Sequence, residues 1–215
     1  MPEPRTRRER LKAESLQRIL DAGAARLRTE GLDGAGIGPV MQDAGLTHGA
    51  FYSHFGSKEE LAVAAFQHAF AENRARWIGK GADRSWPARL ARLARRYLTR
   101  GHRDDRAASC AFSALAADAA RAPAPFRAAY ADELRRSLNA ICDRPLDAPG
   151  LDARSDEAIA VLALCVGGLS LARAVPDEAF SARILAACRD GAGRLGGTGP
   201  AATQEEEAKQ GRNMP

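Results

Sequence analysis

Apolar residues in this chain return every three or four positions, and nowhere do they alternate with polar ones for long enough to make a strand. Around 86–100 the pattern is clearest. Trp86, Leu90, Leu93 and Tyr97 share one face of a predicted helix, and Arg89, Arg92, Arg96 and Arg100 share another. β-Branched residues are sparse, while alanine, leucine and arginine dominate. At 215 residues the chain reads as all-α, with room for one medium domain or two small ones that share a core.

Turn and cap residues divide that rhythm into elements. Residues 1–12, with Arg5, Arg7, Arg8, Arg10 and Lys12, read as a basic flexible arm. Leu16, Ile19, Leu20, Gly23 and Leu27 mark a first helix that Gly31 closes. A short helix over 37–44 follows, with Gly36 at its N-cap and Pro39 in its first turn, where a missing N–H does no harm. Gly45-Leu46 makes a tight turn, and Thr47 caps the next short helix, 47–54. Ser57 and Glu60 form a capping box that opens a helix to about Trp77. Further helices are predicted after Trp86 and over 109–120, 126–143, 155–174 and 177–194, about nine in all. The tail, 196–215, is poor in apolar residues and reads as disordered.

The net charge of +5 fits a nucleic-acid partner, but its distribution is uneven. Residues 1–60 carry nine Lys/Arg and nine Asp/Glu, whereas 61–102 carry nine Lys/Arg against Glu72 and Asp83. Bulk charge therefore points away from the segment that carries the strongest motif. Cys110, Cys142, Cys165 and Cys188 are far apart, which suggests neither a zinc site nor a disulfide framework. His68 and His102 have no partner at metal-ligand spacing. No nucleophile–base pair or phosphate loop stands at a recognisable spacing, so neither an enzyme nor a cofactor or metal is expected. The N-terminus lacks the apolar core of a signal peptide, and the longest uncharged run, 158–172, is short for a membrane span. A cytoplasmic location is the expectation.

The run "LTHGAFYSHFGSKEEL", 46–61, is a poor helix former by composition. A DNA-reading role explains it. The helices on either side of Ala44-Gly45-Leu46 form a helix-turn-helix, with 47–54 as the recognition helix and Val40 and Leu46 packing inside. Gly49 and Ala50 let the backbone approach base edges, Ala50 suits a thymine methyl, and His48 is a base-edge donor. Tyr52 and His54 carry donors on rigid rings, suited to phosphate oxygens. Lys58 begins the next helix, where the helix N-terminus also favours a phosphate. Phe51 and Phe55, four apart, face inward.

Residues 19–66, and above all Gly45, Thr47, Gly49, Tyr52, His54-Phe55, Lys58 and Leu61, resemble the TetR family of bacterial transcriptional regulators. The sharp part covers about a quarter of the chain. The resemblance implies an N-terminal three-helix DNA-binding domain, 13–60, and a ligand-binding and dimerising domain, 61–195. It places the DNA contacts on His48, Gly49, Ala50, Tyr52, His54 and Lys58, with Thr47 as cap. Two departures matter. Position 36, usually a capping Ser or Thr, is Gly36, and Ile37-Gly38 offers no side-chain hydrogen bonds. Specificity is then expected from the recognition helix and from the arginine arm, should that arm reach DNA rather than remain a solvated tail.

The same resemblance implies a dimer through 156–174 and 177–194, binding a palindromic double-stranded operator. Gly167-Gly168 inside the first of those segments fits close helix packing, across a dimer or within one chain. A small-molecule effector would bind among helices 86–143, with Trp86, Leu93, Tyr97, Cys110, Phe112, Leu115, Phe126, Tyr130 and Leu134 as wall candidates from helical facing; core packing explains most of them equally well. The chain reads as a repressor, with an activator or a thiol switch at Cys110 as alternatives. The arginine stripe at 89–100 reads as a solvated face.

Overall fold

Thr6 starts the first helix earlier than the sequence reading has it. Its hydroxyl accepts from the Glu9 N–H at 3.2 Å, and the Glu9 carboxylate accepts from the Thr6 N–H at 2.8 Å. This reciprocal capping box makes 7–12 helix rather than arm, and T-x-x-E is the signal that reveals it. The computed structural model describes residues 6–78, 85–148, 150 and 152–195, so the predicted tail, 196–215, and Arg5 lie outside the described residues.

The helices are α1 (Arg7–Gly34), α2 (Ile37–Asp43), α3 (His48–Phe51), α4 (Lys58–Trp77), α5 (Trp86–Tyr97), α6 (Arg100–Asp104), α7 (Ala111–Arg121), α8 (Ala124–Cys142), α9 (Asp152–Ala174) and α10 (Glu178–Leu195). The fold is all-α, as its apolar spacing predicts, and no strand occurs among the described residues. The added helix is α6, in "RGHRD", which reads as an interruption because it spans barely more than one turn. The chain divides into two compact units, one of residues up to 73 with 105–133, the other of 74–104 with residues from 134 onward.

In the first unit, α1 packs on α2 and α7. Ile19, Leu27, Val40, Met41, Phe51, Leu61 and Phe66 are essentially inaccessible. Each such side chain contributes about 1.5–3 kcal/mol by leaving water. Phe66, Phe70, Phe112, Phe126 and Tyr130 form an aromatic cluster, with Phe66 and Tyr130 stacked at 5.5 Å and Phe70 and Phe112 at 4.3 Å. Burial pushes the Tyr130 phenol up to about 12, with Cys110 adding to the shift. Gly31, read as the end of the first helix, breaks it at φ 76 and ψ −171, after which three more residues are helical. Leu32 donates its freed backbone N–H to Asp118 on α7 at 3.0 Å.

In the second unit, α9 and α10 form a hairpin against α5. Leu90, Tyr97, Leu98, Val161, Cys165 and Leu169 fill its core. Trp77 stacks on the buried His102 at 3.8 Å, and His102 Nδ1 donates to the Tyr97 carbonyl at 2.7 Å. A side chain at Gly168 would meet Cys188 Sγ at 2.7 Å, so that glycine is a close approach of α9 to α10 within the chain. Gly167 faces open space. The arginine stripe is only partly a solvated face: Arg89 donates to the Ala140 carbonyl and Arg92 to that of Ile78. Ala153–Ala174 is long and apolar enough to cross a membrane, at a mean hydropathy of 1.7. It exceeds the uncharged run because charged residues at its ends are counted in.

Candidate nucleic-acid interface

Helix α2 ends in a Schellman turn. The Gly45 N–H donates to the Gln42 carbonyl at 2.9 Å and the Leu46 N–H to that of Met41 at 2.9 Å. Gly45 sits at φ 63, where any side chain would be strained. Arg18 on α1 donates through Nη2 to the Gly45 carbonyl at 3.1 Å, which ties the turn to the first helix. Thr47 then holds the N-cap position of α3 in extended backbone. Its side chain makes no capping bond, contrary to the sequence expectation; Ala50 instead donates to the Thr47 backbone carbonyl at 3.0 Å.

The helical part of the recognition segment is shorter than 47–54. Regular helix ends at Phe51, and Tyr52, Ser53 and His54 continue as turns. The inward side is fixed by Phe51 and Phe55, both buried and 5.7 Å apart. Thr47, His48, Gly49 and Tyr52 face outward, Tyr52 being 64% exposed. Ala50 is half-buried on the same rim. His48 and Tyr52 meet edge to face at 5.8 Å. Among the described residues Gly49 has no neighbouring atom that a side chain would meet, so its smallness serves no packing there.

His54 is partly buried and its Nε2 lies 2.8 Å from the Ser15 hydroxyl on α1. Burial, and then the nearby Lys12 ammonium, hold its imidazole below the ordinary value. Lys12 is thus beside the recognition segment because α1 extends through it. Neither Ser15 nor Arg18 carries a sequence signal for this support, since both contacts cross from one helix to another.

Lys58 opens α4. Its Nζ is 3.5 Å from the Asp33 carbonyl, a long bond that leaves it free to turn outward. The capping box at Ser57 is shifted: Ser57 Oγ accepts from the Glu60 N–H at 3.1 Å, but the Glu60 carboxylate accepts from Gly56 at 2.7 Å. At the second helix, Gly36 is the N-cap with no side-chain bond, and Gly38 is exposed.

The effector-wall candidates fall in both units. Phe112, Phe126 and Tyr130 come together in the aromatic cluster, and Cys110 and Leu115 are buried in the same unit. Trp86, Leu93, Tyr97 and Leu134 belong to the other, where Trp86 donates to Glu157. A cleft of about 330 Å³ in the first unit is lined by Leu32, Asp33, Lys58, Ala62, Arg121 and Phe126 among others; of the nine candidates, only Phe126 lines it. Cys110 is 4% exposed, and burial pushes the Cys142 and Cys188 thiols up. No group of acidic, histidine or cysteine side chains suited to a metal ion occurs among the described residues.

Residues 19–65 match the family model described as "Bacterial regulatory proteins, tetR family". No curated protein matches the chain significantly. Among solved structures, a TetR transcriptional regulator from Chloroflexus aurantiacus is similar at a TM-score of 0.67 and 23% identity, over 86% of this chain and 95% of that one. Reduced NemR from E. coli is similar at a TM-score of 0.64 and 19% identity, over 84% and 96%. A TetR-family regulator from Cytophaga hutchinsonii is similar at a TM-score of 0.64 and 18% identity, over 87% and 96%.

Proposed function

We infer that this chain, a TetR-family transcriptional regulator by residues 19–65 and by its fold, represses transcription by binding a palindromic double-stranded operator as a homodimer. One observation carries the DNA-binding part. His48, Gly49 and Tyr52 form an outward face, set over a buried Phe51–Phe55 base and following the Gly45 turn, in which the smallness of Gly49 meets no packing need among the described residues. His48 and Ala50 read base edges, and Tyr52, His54 and Lys58 hold phosphates. Two such faces, about 34 Å apart, would fill successive major grooves. Exposed Ile159 and Leu171 on α9 and Phe180 on α10 support a dimer through that helix pair. Such regulators work as soluble cytoplasmic proteins, and α9 then serves as a packing helix rather than a span.

A small-molecule effector would release the operator by binding better to the state whose recognition helices are wrongly spaced. The aromatic cluster supplies apolar walls of the kind such a ligand needs. An activator would use the same DNA face. A second reading, a thiol switch, rests on Cys110 at the N-cap of α7, where a helix N-terminus favours thiolate; its burial opposes access.

The test is protection of DNA upstream of the gene and its neighbours, at near-physiological salt with excess nonspecific DNA. A protected palindrome, lost in His48→Ala and Tyr52→Ala, supports the reading. Equal affinity for all sequences, including a random pool carried through selection, overturns it. Cys110→Ser then separates the two switches: it abolishes the response only if the thiol is the sensor.

A further inference from the structure

Ser15 has one hydroxyl proton and two close partners. Its Oγ lies 2.9 Å from the Lys12 carbonyl, one turn back on α1, and 2.8 Å from His54 Nε2. A carbonyl only accepts, so both contacts are hydrogen bonds at once only when the serine proton goes to Lys12. The bond to His54 then requires the imidazole to donate, which puts the ring proton on Nε2. The opposite tautomer would set a proton-free nitrogen against an oxygen whose own proton is directed elsewhere. In the neutral ring Nδ1 therefore carries a lone pair, and it has no hydrogen-bond partner among the described residues.

This matters for a ring that is to meet a phosphate, because phosphate oxygens only accept. We propose that Ser15 is a positioning residue that fixes the His54 ring with its proton on Nε2, so that Nδ1 donates to a DNA phosphate only when the ring is protonated and operator binding takes up a proton. This rests on the DNA-binding reading above. Lys12 on α1 is the charged group acting on the ring from the helix packed against it. His48 and Tyr52 are the other ionisable groups on the ring's own segment. Lys12 and burial disfavour protonation in the free protein, and a phosphate at Nδ1 favours it. By linkage, the proton and the DNA then strengthen each other by the same factor. The sign follows: affinity rises as pH falls through the imidazole range, by at most one decade per pH unit for one proton.

The tautomer is read without DNA. In ¹⁵N-labelled protein at alkaline pH, long-range ¹H–¹⁵N correlations of His54, assigned by difference from His54→Gln among only four histidines, should show a protonated Nε2 and a bare Nδ1. A protonated Nδ1 overturns the proposal. Operator affinity is then measured from about pH 8 to about pH 5.5. Wild type should bind about fivefold to tenfold more tightly at the acid end, beyond any change shown by His54→Gln. Ser15→Ala frees the tautomer, so its neutral ring can donate from Nδ1; it should lose most of the pH dependence and bind at about pH 8 at least as tightly as wild type. Ser15→Thr, which keeps the hydroxyl, should restore the profile. A wild-type profile equal to that of His54→Gln overturns the proposal alone. No operator binding at any pH overturns the DNA-binding reading and the proposal with it.

Discussion

Asp118 on α7 accepts a hydrogen bond from the Leu32 backbone N–H at 3.0 Å, one residue past the point where Gly31 breaks α1. The break leaves a donor without its helical partner, and a carboxylate from 86 residues later in the chain supplies one. The helix so held carries Ser15 and Arg18, the two supports of the recognition segment. Asp118→Ala should cost about 1.5–3 kcal/mol in urea denaturation, the range for a hydrogen bond to a charged group. Gly31→Ala should cost about 1–3 kcal/mol, because φ 76 is strained for alanine and its Cβ would lie 2.6 Å from Asp118 Oδ2. A neutral result for both would mean that the break is not built into the folded state.

At Gly45 the strain is conformational. Among the described residues, the side chain in the way is the flexible end of Arg18. Gly45→Ala should destabilise by about 1–2 kcal/mol, and Gly45→Asn, which tolerates the left-handed region, by less. Equal losses in thermal melts would assign the cost to crowding against Arg18 instead.

Adjacent glycines on α9 should respond oppositely. Gly168→Ala forces a Cβ to within 2.9 Å of Cys188 Cβ and 3.2 Å of Leu98, and should cost about 1–3 kcal/mol. Gly167→Ala meets nothing and should gain about 0.5–1 kcal/mol from helix propensity. Should Gly167→Ala instead weaken self-association at unchanged protomer stability in sedimentation, that open space is filled by a second copy.

Gly49 separates function from fold. With no atom near its missing side chain, Gly49→Leu should leave stability within about 0.5 kcal/mol. It should lower operator affinity at least about tenfold by holding the backbone off the base edges, a loss of about 1.4 kcal/mol. Retained affinity in a gel-shift titration would remove Gly49 from the interface.

Tyr130 gives an alkaline signature. Its phenol titrates at about 12 in the folded chain, against about 10 when unfolded. The unfolded state therefore releases its proton first. The resulting stability is intact below about pH 10 and is lost as pH rises toward 12. Tyr130→Phe should flatten that decline in guanidinium melts between those limits.

Apolar spacing alone determined that this chain is helical, because a period near 3.6 buries one stripe and cannot serve a sheet. The local motif 45–58 likewise determined the turn at Gly45, the buried Phe51–Phe55 pair and the outward His48, Gly49 and Tyr52, since each depends on neighbours within four residues. Tertiary structure alone decided what those neighbours could not. It moved Gly168 into the α9–α10 approach, turned Arg89 and Arg92 inward, and placed Ser15 against His54. The Ser15 contact spans 39 positions, and helical periodicity says which face a residue lies on, not which helix comes to meet it.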